Sequence, residues 1–196
     1  MRKRVQHKYM QIYYYNIFKN EKGESHKLLE RAIAEFLGAD SRESAAELVA
    51  DIETGEMGKP SIPGFNDFSI THSENTWAVL IADGYGSGHY CGLDIQYSKK
   101  ADVNKLAGRW FHEEETEAVK ARGEDEFFRI WARREALVKA VGTSIVNAHL
   151  PNTLGDTVEF EGAVWQIKDI TIPDVPEAFA AVCAQEITEI KVIELD

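Results

Sequence analysis

Cysteine is nearly absent from this chain: Cys91 and Cys183 are the only two in 196 residues, and each lies in an apolar, strand-like run. Two isolated thiols cannot staple a disulfide scaffold; they suit a reduced core in the cytoplasm. Long apolar runs are missing too. None approaches the roughly 20 residues needed to span a bilayer, and the basic start MRKRVQHKYM lacks the apolar stretch of a secretion signal. The expectation is a cytoplasmic protein with no membrane role. Positive charge is scarce overall, with 22 Lys and Arg against 33 Asp and Glu, for a net −11. Residues 1–31 reverse the balance: eight Lys or Arg against three Glu make a local +5 and leave −16 for the remainder. An acidic body argues against nucleic-acid binding, while the basic start leaves room for one anionic ligand.

What is present is enough for a globular core: 44% of residues are hydrophobic, sufficient for one domain or two fused lobes. The stretch FFRIWARREALVKAV predicts a helix from Glu126 to Val141. At about 100° per residue, Phe127, Ile130, Trp131, Leu137, Val138 and Val141 share one arc, with Arg129 and Arg133 expected opposite. Gly142 marks its end. Glu135 and Lys139 fall at the border of the arc, either as an ordinary i,i+4 pair or as part of a site.

Around this helix the pattern alternates strand and helix. Met10–Phe18 predicts a strand; a helix follows, capped by Ser25, with Leu28, Leu29, Ala32, Ile33, Phe36 and Leu37 inward and Lys27 and Arg31 on its flank. A second helix is expected over Ser44–Ile52. The turn-rich EMGKP segment fails the P-loop pattern, yet Pro60 fixes the backbone beside Lys59. Phe68–Ser73 and Thr76–Ala82 predict a hairpin with His72 near its turn, where a histidine commonly makes structural hydrogen bonds. DGYGSG, Asp83–Gly88, reads as the linker between an N-terminal lobe, 1–87, and a C-terminal lobe, 88–196.

The second lobe opens with HYCGLDIQ, whose alternation sets Asp94, Gln96 and Gly92 on one face; the missing side chain at Gly92 allows a close approach. One helix is expected from Val103 through RWFHEEETEAVKA, and strands over Thr157–Phe160, Val164–Thr171 and Ala178–Cys183. The fold class is α+β: two pseudo-symmetric lobes, each a small, mostly antiparallel sheet packed with helix.

Four segments stand in register: MGKP, FSITHS, GLDIQ and WARREALVK. Together the set resembles the Sfp-type 4′-phosphopantetheinyl transferases, whose pattern is a GKP turn, a segment ending SHS, a GIDIE-like strand, an FxxxE helix and a helix ending KExxxK. The resemblance implies a cleft between two lobes and transfer of 4′-phosphopantetheine from coenzyme A to a serine of an apo acyl or peptidyl carrier protein, releasing 3′,5′-ADP. It implies Mg²⁺ on Asp94 and Glu135, with Gln96 where the family often has another carboxylate. Lys59, Thr71, His72, Lys139 and Lys27 would hold the coenzyme's phosphates. Glu115 would help deprotonate the attacking hydroxyl, alongside Glu135 and Lys139 as catalytic residues. Arg134 stands where the family has lysine and is assigned to the coenzyme; inside the apolar arc it needs an anionic partner. A monomer is expected because one chain supplies the whole cleft. Two other readings share these residues: a non-catalytic coenzyme- or carrier-binding module, with Gln96 as the mark of lost activity, and a Mg²⁺-dependent phosphohydrolase.

Overall fold

The computed structural model describes residues 9–38, 41–55, 58–83, 91–144 and 149–196. Among them the architecture is α+β, with five helices and two four-stranded sheets. The first sheet contains β1 (Tyr9–Tyr15), β4 (Asp67–Ser73), β5 (Thr76–Asp83) and β10 (Ile190–Glu194), in the order β10-β1-β5-β4. The second runs β6-β9-β8-β7, from β6 (Cys91–Tyr97), β7 (Thr157–Phe160), β8 (Ala163–Ile170) and β9 (Ala178–Ala184). All pairings are antiparallel except β1 with β10. A two-stranded ribbon of β2 (Glu53–Thr54) and β3 (Pro60–Ser61) carries the turn before Lys59.

Four layers follow from where the apolar side chains point. In β5 Trp77, Val79 and Ile81 join the core under α1 (Glu24–Leu37) and α2 (Arg42–Ala50), while Ala78 and Leu80 point the other way. A strand buried on both faces reads as a continuous apolar run, as TWAVLIA does. The opposite face meets the second sheet: Met10, Ile12, Tyr14 and Leu80 share one core with Leu93, Ile95, Ala180 and Val182. The outer face of the second sheet is covered by α5 (Glu124–Val141), whose Ala136, Leu137 and Ala140 pack on Trp165, Ile167, Ala181 and Cys183. β5 and β9, the two AV-containing apolar runs, are both interior strands of their sheets.

Several expectations change. Arg133 does not point to solvent: it is buried, donating to the carbonyls of Thr153 and Gly155 and to Asp169. α5 is thus buried on most of its circumference, which a single apolar arc does not describe. The helix expected from Val103 is two, α3 (Val103–Trp110) and α4 (Glu113–Arg122); extended backbone at Phe111 and His112 breaks it, and Glu115 accepts the His112 N–H at 2.9 Å. α1 starts after Gly23, so Ser25 lies inside it and accepts a hydrogen bond from the Trp77 indole instead of capping. Leu37 is largely exposed. The lobe boundary at 87/88 falls outside the described residues, and β10 brings the C-terminal part of the chain back to the first sheet.

Candidate active site

Gly92 decides how α5 lies on β6. A Cβ built there would come 1.9 Å from the Ala136 carbonyl oxygen and 2.6 Å from the Ala140 nitrogen. Strand and helix therefore meet backbone to backbone, and Asp94, two residues on along the same face, emerges beside Glu135 and Lys139. The Lys139 ammonium lies 2.7 Å from Asp94 Oδ1 and donates to the Leu93 carbonyl at 3.1 Å.

A second device joins the two sheets. Asp67, Ser69 and Thr71 alternate on one face of β4 and reach β6 with side chains: Asp67 Oδ2 accepts the Cys91 N–H at 2.8 Å, Ser69 Oγ accepts the Leu93 N–H at 3.0 Å, and Thr71 Oγ1 donates to Asp94 Oδ1 at 3.0 Å. Gln96 closes the set by donating its amide N–H to Asp94 Oδ2 at 2.7 Å. Asp94, 3% exposed, thus receives three donors, with Oδ2 holding only one of them.

Along this seam runs a cleft of about 470 Å³, lined by Lys59, Ser69, Glu135, Lys139 and Thr143 among others. Glu135 is the only carboxylate in that lining, and no hydrogen bond or ion pair engages it among the described residues. Burial and then the neighbouring Asp94 charge push its carboxyl above the ordinary value, against the pull of Lys139 and Arg134. Lys59 also lines the cleft, donating to Asp67 at 3.1 Å and to the Cys91 carbonyl at 3.0 Å.

The remaining expected site residues lie elsewhere. Glu115 is 0% exposed, and both of its oxygens are taken by Arg134, the His112 N–H and the Thr153 N–H and hydroxyl. A sealed and saturated carboxylate cannot reach an attacking hydroxyl, so its assignment as a base gives way to a structural one. Arg134 finds its anion in Glu115, at 2.6 Å, and also donates to the Trp110 carbonyl, which removes it from the cleft. Burial lowers the Arg134 guanidinium, opposed by the Glu115 charge. His72 is exposed on the face of β4 opposite Thr71, its ring 5.4 Å from that of Phe18. Lys27 is exposed on α1 and lines a separate hollow of about 260 Å³ with Lys19 and Lys22. Asp67 and Ser69 went unnoticed in the sequence, though their alternation with Thr71 was a usable sign. Burial pushes both cysteine thiols up, which excludes them as nucleophiles.

Glu135 and Lys139 thus line a cleft that Lys59 also borders, and Asp94 lies just beneath it, held by Lys139. Residues 90–180 match the ACPS family model, the 4′-phosphopantetheinyl transferase superfamily. The match spans just under half of the chain, from the start of β6 through α5 into β9, and includes Asp94, Glu135 and Lys139. It does not extend to the first sheet or Lys59. Among curated proteins nothing matches.

The donor chemistry of the cleft suits Mg²⁺. Hard oxygen ligands, one or two carboxylates and substrate phosphates are what that ion takes. Glu135 is open, and Asp94 Oδ2 keeps accepting capacity beyond its bond to Gln96. Gln96 turns its N–H rather than its carbonyl oxygen to Asp94, which makes it a support for that carboxylate in this arrangement. Among the described residues no group of three or more His, Cys, Asp or Glu gathers as a metal site, so any ion here would rest on two carboxylates plus ligand oxygens. No described helix is long and apolar enough to cross a membrane.

Proposed function

We propose that this protein transfers 4′-phosphopantetheine from coenzyme A to a serine of an apo acyl or peptidyl carrier protein, with 3′,5′-ADP as the other product. The observation that carries the reading is the unpartnered Glu135 beside Asp94 in a lysine-bordered cleft, within the stretch that matches the transferase superfamily. A Sfp-type arrangement fits this reading, with one chain acting as a monomer and each lobe contributing to the cleft: Lys59 from the first, Glu135 and Lys139 from the second, with Asp94 beneath Lys139.

Asp94 and Glu135 would hold Mg²⁺, which when bound neutralises charge on the coenzyme's pyrophosphate. Lys139 and Lys59 approach the phosphate oxygens, fixing the phosphorus for in-line attack and stabilising the charge that develops there. Thr71 and Gln96 hold the Asp94 carboxylate in place from two sides. With Glu115 sealed, Glu135 is the carboxylate of the cleft to which the serine proton can pass. Displacement at phosphorus then joins the serine oxygen to the phosphopantetheine and releases the nucleotide.

Intact-mass measurement of apo carrier proteins incubated with coenzyme A and Mg²⁺ tests this. A mass gain of one phosphopantetheine, lost on chelation and in Asp94→Ala and Glu135→Ala proteins that remain folded, is the expected result. Unmodified carriers from fatty-acid, polyketide and peptide synthesis alike would overturn it. Release of inorganic phosphate from coenzyme A would point to a hydrolase instead.

A further inference from the structure

Lys139 is spoken for in this structure. Its ammonium neutralises Asp94 at 2.7 Å, and one turn earlier on the same helix Glu135 faces the same place unpaired, so two carboxylates share one cation. The neighbouring cations hold carboxylates of their own, Lys59 with Asp67 and Arg134 with Glu115. A divalent ion entering between Asp94 and Glu135 meets the like charge of Lys139 and competes with it for Oδ1. An anion in the cleft changes this: Lys139 lines the cleft wall, is 27% exposed, and hangs on a flexible four-carbon stem that can swing its charge toward a phosphate.

We propose that Lys139 is the resident counter-cation of Asp94: it holds divalent-metal affinity down in the free protein and yields the carboxylate when a coenzyme phosphate draws the ammonium away. Metal and phosphate then bind cooperatively through one side chain, and thermodynamic reciprocity requires that each tighten the other by the same factor. Lys139 acts here as a positioning residue for Asp94 as well as a phosphate contact. The inference rests on the metal reading given under the proposed function, and its test separates the two.

Mn²⁺ binding, followed by the paramagnetic resonance of the free ion, is measured for wild type, Lys139→Met and Lys139→Gln, each with and without coenzyme A and each checked for native circular dichroism. Removing a like charge at this range should tighten Mn²⁺ binding without coenzyme by about tenfold in both variants. Coenzyme A should tighten Mn²⁺ binding in wild type and do so far less in either variant. Wild-type and variant proteins that bind Mn²⁺ equally, or variants that bind more weakly, overturn the role of Lys139 while leaving the metal site standing. Absence of Mn²⁺ binding in all three, with and without coenzyme, overturns both.

Discussion

Glu135 is strained electrostatically, and the strain has a sign. Burial and Asp94 disfavour its charged form, so its folded carboxyl titrates above the unfolded one. In the metal-free protein the folded state then binds more protons than the unfolded state between those two values, and Glu135 costs stability as pH rises through that window. Below the ordinary carboxylate value of 4.5 the cost is absent. Metal-free Glu135→Gln should therefore be more stable than wild type at pH 7, with the gap closing as pH falls toward that value; urea midpoints at several pH values measure it. A gap independent of pH would show that packing, not charge, sets the difference. Glu115 differs from Glu135 in having its acceptor sites filled. Glu115→Gln places an amide N–H₂ among N–H donors beside a buried Arg134, and breaking such a pair costs about 3–5 kcal/mol. Turnover per folded molecule should fall less than tenfold, whereas a true base would lose turnover with the fold intact.

At the scale of elements, the contact between β6 and α5 sets the site. Gly92→Ala puts a methyl into the α5 backbone, where neither partner can rotate away, and should cost about 3 kcal/mol or more. Because the helix must lift, Glu135 and Lys139 shift against Asp94, so transfer should be lost at temperatures where the variant is still folded; thermal melts paired with carrier modification check this. Most of this geometry was legible beforehand. Alternation along GLDIQ put Asp94 on the face with Gly92, and turn spacing put Glu135 and Lys139 on one flank of α5. What periodicity could not show was pairing across distance: Arg134 was expected to need an anion, but not that the anion is Glu115, 19 residues away, and Arg133, expected on the solvent side, is buried by its pairing with Asp169, 36 residues away. The break at Phe111 and His112 was hidden for a related reason, since the carboxylate that satisfies the new helix start belongs to a residue that also reads as acidic surface. β10 was missed because IKVIE is short and half exposed, a strand only through its partner.

For the whole molecule, the decisive feature is the core that both sheets share. Met10, Ile12 and Leu80 of the first sheet pack in one core with Leu93, Ile95 and Val182 of the second. The two lobes should therefore unfold together: circular dichroism and tryptophan fluorescence, with Trp77 in one sheet and Trp165 in the other, should trace one coincident transition in urea. Two resolved transitions would mean that each lobe is stable alone.

The parallel pairing of β1 with β10 also bears on how the protein is made. Translation delivers β1 before either neighbour: β5 is available to one edge once Asp83 is made, while the other edge waits for β10, completed at Glu194, and the apolar residues that face β1 across the shared core begin at Cys91. At about 5–20 residues per second, the aromatic and aliphatic side chains of MQIYYY wait many seconds on the ribosome with an unsatisfied edge. The nascent chain thus passes through a long interval in which β1 keeps one adhesive edge open, and productive yield in the cell should depend on chaperones that occupy that edge until β10 arrives.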